Sequence, residues 1–340
     1  MEFLTEYGMF VAKTLTIVFG VLAVVIGIIV TTHRSRDHDE HIEITVLNDE
    51  YDETSMSMKS VIQSKDELKK TEKEQKAKKK AEKKSTDGDE IRIFVLEFEG
   101  DMKASAVDNL REEITAILMV ARKQDEVFVK LQSPGGMVTT YGLAASQLKR
   151  IRDHEIKLTV SVDQVAASGG YMMACVANHI IAAPFSIIGS IGVVAQMPNF
   201  NRLLKKHDID YELITAGEYK RTLTIFGENT DEGRAKFKED IEDIHILFKD
   251  FVANERPVVD IQKVSTGEYW FGTRAVELNL VDELKTSDDY LLEKVKASKL
   301  YKVKRKQKKG LSDKFSGFLQ AMMDKTFNLW WSKTRDSQLP

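Results

Sequence analysis

The chain has 340 residues, 42% of them hydrophobic and 30% charged, with a formal net charge of −3. This length allows one large domain or two smaller ones with appended segments, and the near balance of charge excludes an overall nucleic-acid signature. The single cysteine, Cys175, excludes an intrachain disulfide and a cysteine-based zinc site, and its apolar neighbours predict a small buried side chain.

An uncharged stretch follows a short N-terminal segment, residues 1–13. Residues 14–32 carry no charged side chain and would span about 28 Å as a helix, close to the thickness of a membrane's hydrocarbon core. Acidic residues precede the stretch and no small-residue cleavage site ends it, which favours a retained signal anchor over a cleaved signal peptide. Arg34 and Arg36 follow the stretch and weakly place its C-terminal side in the cytoplasm.

Residues 33–90 are predicted to form a charged linker outside any packed core. Residues 37–53 hold eight acidic side chains without lysine or arginine, and residues 65–84 hold ten lysines against five acids. Helix-forming residues without an apolar stripe predict a solvated helix or a disordered segment. The lysine tract has no interleaved aromatic residues, so we expect no nucleic-acid binding there.

Strands that alternate with helices predict an α/β core with parallel strands over residues 91–303. The expected strands are 91–96, 126–131, 156–163, 179–183 and 211–214, and the expected helices are 106–122, 141–151, 171–177 and 229–252. Residues 304–340 begin with a basic run and continue with an apolar helical face. This tail fits a helix on an anionic membrane surface or one docked on a protein.

A turn of small residues, Ala166 to Tyr171, joins the strand at 156–163 to the following helix. It places Ser168 at a helix N-terminus, where backbone N–H groups and the helix dipole favour a developing anion. One interpretation is a nucleophile for acyl transfer. The other is a helix N-cap followed by a glycine turn.

Two backbone segments could supply an oxyanion hole for such a nucleophile. The N–H of Gly169 follows Ser168 directly, and the Gly135-Gly136 loop follows the strand at 126–131. Glycine lets a backbone approach a substrate carbonyl closely, because no Cβ stands in the way. The alternative for the loop is an ordinary Pro-Gly turn.

The candidate base is a lysine, because no histidine stands in a recognisable catalytic turn. His179 is the histidine nearest to the serine motif, and its position at the start of a strand indicates a structural role. Lys220 follows the expected strand at 211–214, so we expect it to emerge from the core. A lysine acts as a base when burial or nearby positive charge lowers its pKa from about 10.4 toward neutrality, and Ser–Lys dyads are a known variant of the catalytic triad.

Four motifs occur in order along the chain: Ser133–Gly136, Ala166–Tyr171, Gly189–Val193 and Gly217–Lys220. Together they resemble the signal peptide peptidase A family of membrane serine proteases. The resemblance covers about residues 91–284, and the uncharged stretch and charged linker resemble those of an inner-membrane member of the family.

The resemblance implies a ClpP/crotonase-like fold, in which stacked β-β-α units assemble into rings. By position, it implies that Ser168 is the nucleophile and Lys220 the general base. Ser190 would share a hydrogen bond with the Lys220 amine and orient it. Gly135 or Gly136, together with Gly169, would form the oxyanion hole.

The resemblance further implies the substrates, the assembly and the location. We expect cleavage of signal-peptide remnants or misfolded polypeptides beside the bilayer, without ATP, metal or other cofactor. Homo-oligomers are expected, with a dyad that can be completed across a subunit contact. The family's usual compartment is extracytoplasmic, so we expect an inner-membrane protein with a periplasmic catalytic domain, in conflict with the charges at Arg34 and Arg36.

One segment departs from the family's commoner pattern, and two other functions stay open. Thr222-Leu223-Thr224 stands where Ser-Pro-type residues are frequent, so the specificity pocket is not inferred from the resemblance. The alternatives are an acyl-CoA enzyme of the same fold and a non-catalytic, ring-forming membrane scaffold.

Overall fold

The structure is a computed structural model that describes residues 7–11, 13–21, 41–82 and 90–306. These residues fall into two units, of which the larger consists of residues 44–304. In the smaller unit, residues 7–11 and 13–21 are helical. No helix in the described ranges is both long enough and apolar enough to cross a membrane. The predicted anchor is described only over residues 14–21, and its remainder lies outside the described residues, as does most of the predicted tail, residues 307–340.

Strands and helices alternate along most of the described chain. The strands are β1 (His41–Val46), β2 (Arg92–Glu99), β3 (Glu126–Gln132), β4 (Lys157–Val162), β5 (Val165–Ala167), β6 (His179–Ala182), β7 (Ile187–Gly189), β8 (Tyr269–Phe271), β9 (Glu283–Leu284) and β10 (Lys299–Lys306). The helices are α1 (Leu47–Ile62), α2 (Lys65–Glu82), α3 (Val107–Leu118), α4 (Val138–Asp153), α5 (Gly169–Ala174), α6 (Asn201–Lys206), α7 (Asp231–Glu255), α8 (Ile261–Val264), α9 (Gly272–Glu277) and α10 (Ser287–Lys294).

The strands form two sheets. The larger has the order β1-β10-β2-β3-β4-β6-β9, and its pairings from β10 to β9 are parallel. The smaller has the order β5-β7-β8, with β5 and β7 parallel and β7 and β8 antiparallel. The expected α/β fold with parallel central strands is therefore confirmed, with a mixed second sheet beside it.

The two sheets are linked by strands that pass from one to the other. β4 is followed at once by β5, and β6 is followed by β7. Ser133, directly after β3, forms a parallel bridge with Ala166 of β5. The ends of β3, β5 and β7 therefore meet in one region, and the sequence motifs of interest lie there.

The central strands are held by burial on both faces. β2, β3 and β4 contain nearly continuous runs of buried side chains, as parallel strands covered by helices require. Helices α3, α4 and α5 pack side by side. A core cluster on the sheet includes Phe128 of β3, whose ring stacks on that of Tyr290 of α10 at a centroid distance of 4.9 Å.

The packed unit begins earlier than residue 91, so the predicted extent of the charged linker is wrong. Leu47 at the start of α1 belongs to the core cluster. The Asn48 amide accepts a hydrogen bond from the Leu300 N–H at 2.8 Å and donates to the carbonyls of Val295 and Ser298. The linker was predicted from the acidic composition of residues 37–53, which gave no weight to the few apolar residues that pack this segment on the sheet. The lysine tract forms α2, the solvated-helix alternative.

The expected strand at 211–214 is also absent. These residues are irregular in the structure, and Ile214 is 91% exposed. Between β7 and β8, the described chain contains only helices and loops. A short apolar run forms a strand only when a neighbouring strand pairs with it, and no strand of the described residues pairs with 211–214.

Asp125 is buried where the chain enters β3. Its carboxylate accepts hydrogen bonds from Arg92 Nε at 3.1 Å and from the Arg122 backbone N–H at 2.7 Å. Burial raises the pKa of this carboxyl, but the hydrogen bonds from Arg92 and Arg122 outweigh burial and hold the pKa of Asp125 below its ordinary value. The charged form therefore stabilises the fold.

We expect Asp125→Asn to lower the free energy of unfolding by about 3 kcal/mol near neutral pH, because it removes the buried negative charge that the partly buried Arg92 and Arg122 side chains bind. The pKa is lower in the folded state than in the unfolded one. The stabilisation is therefore complete above the unfolded-state pKa of about 4 and disappears as the pH falls through the folded-state value. Urea unfolding of parent and variant at about pH 7 and about pH 3 measures this, and a difference that does not shrink in acid would contradict it.

Candidate active site

Ser168 is the single residue between β5 and α5, and its backbone conformation is strained. Its φ is 53° and its ψ is −119°, a region that costs a non-glycine residue about 1–3 kcal/mol. The Ser168 N–H donates to the Gly189 carbonyl at 2.7 Å, and the Ser168 carbonyl accepts from the Met172 N–H at 3.0 Å. The second sheet and the helix together hold the strained turn. The side chain of Ser168 makes no capping hydrogen bond, so the simple N-cap interpretation is not observed.

The loop after β3 presses directly against this turn. A Cβ atom added to Gly135 would lie 2.8 Å from both Ser168 Cβ and Gly169 N, and 2.7 Å from the Ala167 carbonyl oxygen. The φ of Gly135 is +88°, which also favours glycine. The glycine loop predicted as an oxyanion candidate therefore lies in contact with the candidate nucleophile.

Two of the three predicted oxyanion glycines offer backbone donors to one cleft. The Gly135 N–H donates to Ser133 Oγ at 3.1 Å and is thus already used. Within the described part of the chain, the N–H groups of Gly136 and Gly169 have no acceptor. Both glycines line the cleft beside Ser168. Gly135 gives the loop its shape, while Gly136 and Gly169 carry the available donors.

A buried tyrosine supports both sides of this arrangement. The Tyr141 hydroxyl donates to the Asp101 carbonyl at 2.8 Å and accepts from Ser133 Oγ at 2.7 Å, and Ser133 Oγ in turn accepts from the Gly135 N–H. Burial raises the pKa of Tyr141, so its hydroxyl keeps the proton that it donates. A Cβ on Gly169 would lie 2.4 Å from Tyr141 Cγ, so the ring packs directly under Gly169.

Tyr141 was not predicted as a site residue. In the sequence it appears only as an apolar position of the helix that follows the glycine loop. A signal was available, because side chains in the first turn of a helix point back toward the preceding loop.

The cleft beside Ser168 is small and mostly apolar. Its volume is about 70 Å³. Besides Ser168 and the two donor glycines, it is lined by Val138, Met172, Gly192, Val193, Val194, Ile244 and Phe248. The last two belong to α7, which the sequence predicted as a helix without any link to the site. An apolar wall next to a serine and two N–H donors suits a carbonyl group attached to a small apolar side chain.

Ser190 lies beside Ser168 through the pairing of two short strands. Ala167 of β5 is in register with Gly189 of β7, so the two serines follow paired residues at the ends of adjacent parallel strands. The φ of Ser190 is 52°, and its N–H donates to the Glu268 carbonyl at 2.7 Å. The backbones of the two serines are therefore about one strand spacing apart, roughly 5 Å.

Lys220 is not among the residues that line the Ser168 cleft. It ends an exposed turn in which its N–H donates to the Gly217 carbonyl at 3.2 Å. The nearby Thr222 carbonyl contacts Gly233 near the start of α7, whereas the cleft is lined by Ile244 and Phe248, farther along the same helix.

No other titratable side chain takes the place of the base. In the ranges that the structure describes, the cleft lining contains no histidine, lysine, aspartate or glutamate. His179 lies 3.3 Å from Glu283, in keeping with the structural role expected for it. Among these same residues, no group of three or more His, Cys, Asp and Glu side chains could hold a metal ion. Cys175 is buried, as predicted.

Comparisons with known proteins cover nearly the whole chain. The family model described as Peptidase family S49 N-terminal matches residues 2–148, and the model described as Peptidase family S49 matches residues 150–304. The chain is 50% identical over 325 residues to the Probable protease SohB of Haemophilus influenzae, with 92% of each chain covered. It is 48% identical over 304 residues to that of Buchnera aphidicola subsp. Schlechtendalia chinensis, covering 86% of this chain and 99% of the relative. These matches confirm the resemblance to this group of proteases.

A solved structure is also similar in part. The 1510-N membrane-bound stomatin-specific protease matches with a TM-score of 0.40 and 16% sequence identity, over 61% of this chain and 86% of that chain.

We expect Ser168→Gly to be more stable than Ser168→Ala by about 1 kcal/mol, because glycine relieves the strain at a positive φ and alanine keeps it. Ser146, on helix α4, provides the matched control. There the order should reverse, since glycine is about 1 kcal/mol worse than alanine inside a helix. Thermal unfolding of the four variants measures both differences, and the same order at both positions would contradict the strained turn.

We expect Tyr141→Phe to lower the free energy of unfolding by about 1–3 kcal/mol, because it leaves the Ser133 hydroxyl and the Asp101 carbonyl without their partner. The ring stays under Gly169, so the fold should be kept while the glycine loop loosens and hydrolysis slows. Tyr301→Phe is the control, since the Tyr301 hydroxyl makes no hydrogen bond within the described residues. Urea unfolding and casein hydrolysis measure the effects, and a Tyr141→Phe variant as stable as the parent would rule out the relay.

Proposed function

Because the chain belongs to peptidase family S49, we propose that it is a serine endopeptidase with Ser168 as its nucleophile. The observation that carries this proposal is the strained Ser168 turn beside two available N–H donors. Attack of Ser168 Oγ on a peptide carbonyl would turn the carbonyl oxygen toward Gly136 and Gly169, whose N–H groups would stabilise the negative charge. Water would then hydrolyse the acyl-enzyme.

The general base in this proposal is Lys220 of a neighbouring copy. Two observations support this assignment: the described lining of the cleft has no base of its own, and Lys220 stands on an exposed turn. Proton transfer from Ser168 Oγ to a neutral lysine amine would generate the nucleophile, and the ammonium would then protonate the leaving amine. Burial in a subunit contact favours the neutral amine, and Ser190 would orient it.

An exposed arm, residues 194–230, supports assembly with a second copy. Val194 is 80% exposed, and the rings of Phe200, Tyr211 and Phe226 pack on one another while each stays more than 40% exposed. Apolar surface of this extent favours a protein partner. A ring of copies would place the arm of one copy over the Ser168 cleft of the next.

The proposed substrates are signal-peptide remnants and misfolded polypeptides near the membrane, cleaved next to a small apolar residue. The size and apolar lining of the cleft support the preference for such a residue. We also propose a ClpP/crotonase-like fold, an inner-membrane anchor at residues 14–32 and a periplasmic catalytic domain, all of which rest on the resemblance. No observation favours the acyl-CoA enzyme or the scaffold, and neither would need a strained serine.

The test uses two inactive variants and their mixture. Ser168→Ala and Lys220→Ala should each abolish casein hydrolysis by the full-length chain, since one lacks the nucleophile and the other the base. Co-expression of both should restore activity, because a Ser168 from one variant would meet a Lys220 from the other. With random mixing in a ring, about a quarter of the sites should be complete.

The outcomes separate the parts of the proposal. Full activity in Ser168→Ala would overturn the nucleophile, and full activity in Lys220→Ala would overturn the base. Two inactive variants without restoration would contradict a dyad shared between copies. Labelling by a fluorophosphonate that maps to Ser168 in the parent, and is lost in Ser168→Ala, identifies the reactive atom directly.

A further inference from the structure

The turn that carries Lys220 rests on the first two turns of α7. On one side of Lys220, the Tyr219 ring lies 5.5 Å from the Lys236 ammonium. On the other side, the Thr222 carbonyl touches Gly233 so closely that a Cβ on this glycine would lie 2.4 Å from the oxygen. Two contacts with a single helix therefore bracket the lysine.

Side-chain amides fix the chain just beyond this contact. The Asn229 amide pairs with both backbone groups of Thr224: its Oδ1 accepts from the Thr224 N–H at 2.8 Å, and its Nδ2 donates to the Thr224 carbonyl at 3.1 Å. The Nδ2 of Asn199 donates to that same carbonyl at 2.9 Å and to the Gly227 carbonyl at 3.0 Å. Amides thus substitute for strand pairing where the sequence forms no sheet.

Gly233 is an unfavourable residue for its place in α7. It lies in the first turn, where its N–H donates to the Thr230 cap at 3.1 Å, and alanine there would favour the helix by about 1 kcal/mol. Because glycine has no Cβ, it allows the Thr222 carbonyl to approach the helix closely at this position. The residue therefore serves the neighbouring Lys220 turn and not the helix that contains it.

We propose that Gly233 and Asn229 are positioning residues that hold the Lys220 amine in the place from which it serves as general base. The proposal rests on the function proposed above, since it gives Lys220 its task. Gly233 holds the chain two residues after Lys220, and Asn229 holds it four residues after. Neither residue contacts the Ser168 cleft of its own copy, so both act through Lys220.

Gly233→Ala tests the positioning role of this glycine. The added Cβ must push the Thr222 carbonyl away, and a displacement of about 1 Å at a catalytic group can lower the rate about 100-fold. We expect casein hydrolysis by the purified full-length variant to fall by about that factor in kcat, with KM little changed. Gly142→Ala is the matched control, because a Cβ at this helical glycine meets nothing within 4 Å.

The co-expressed pair of inactive variants distinguishes positioning from a general structural effect. If Gly233 acts through the Lys220 of its own chain, Gly233→Ala should lower the restored activity when it is placed on the Ser168→Ala chain, which supplies Lys220, and leave it unchanged on the Lys220→Ala chain. An equal loss from either chain would overturn the proposal. Parent-like activity in Gly233→Ala, with Lys220→Ala inactive, would also overturn it while leaving the dyad intact. Full activity in Lys220→Ala would instead refute the base itself.

A second variant covers the case in which Gly233→Ala fails to fold or to assemble. Asn229→Ala removes both hydrogen bonds to Thr224 without adding an atom, and it should lower kcat in the same way. Size-exclusion chromatography checks assembly in each variant. Activity that falls only together with loss of assembly would show that these residues hold subunits together, and the positioning role would be wrong.

Discussion

The contact between the Gly135 loop and the Ser168 turn is the constraint on which the rest of the site depends. No side chain fits at Gly135, because its space is taken by the Ala167 carbonyl, Ser168 and the N–H of Gly169. The contact is possible because β3 and β5 end side by side, joined by the bridge from Ser133 to β5. Backbone donors from two separate segments are thereby aimed at one small cleft.

The pairing of β5 with β7 determines in the same way where Ser168 and Ser190 lie. β5 and β7 are parallel and in register, and each is followed by a serine with a positive φ. At both serines the chain therefore turns out of its strand at the same edge of the sheet. The hydrogen bond from the Ser168 N–H to the Gly189 carbonyl holds one turn against the other. Secondary structure thus offsets the strain at Ser168, and Tyr141 supports the packing from below.

The sequence predicts the centre of the fold better than its edges. Parallel central strands are long apolar runs, and glycines in turns have a positional meaning, so β2 to β4, Ser168 and the glycine loop were recognisable. The acidic composition around β1 concealed a strand that needs only a few apolar residues at a sheet edge. Tyr141 was missed because its role depends on a hydroxyl relay that closes only in three dimensions. The place of Lys220 could not be predicted, since order along the chain does not say whether two residues meet within one copy or between two.

The proposed nucleophile and the proposed base lie in different parts of the chain, and this separation would make activity depend on assembly. The core of each copy holds the proposed nucleophile and the proposed oxyanion donors, whereas the proposed base stands on a separate arm that α7 and asparagine amides hold in place. A single copy would then be a protease without a base, and activity would appear only with assembly. Since association depends on concentration, hydrolysis would rise more steeply than the amount of protein. Such an enzyme would stay inactive while newly made copies are dilute.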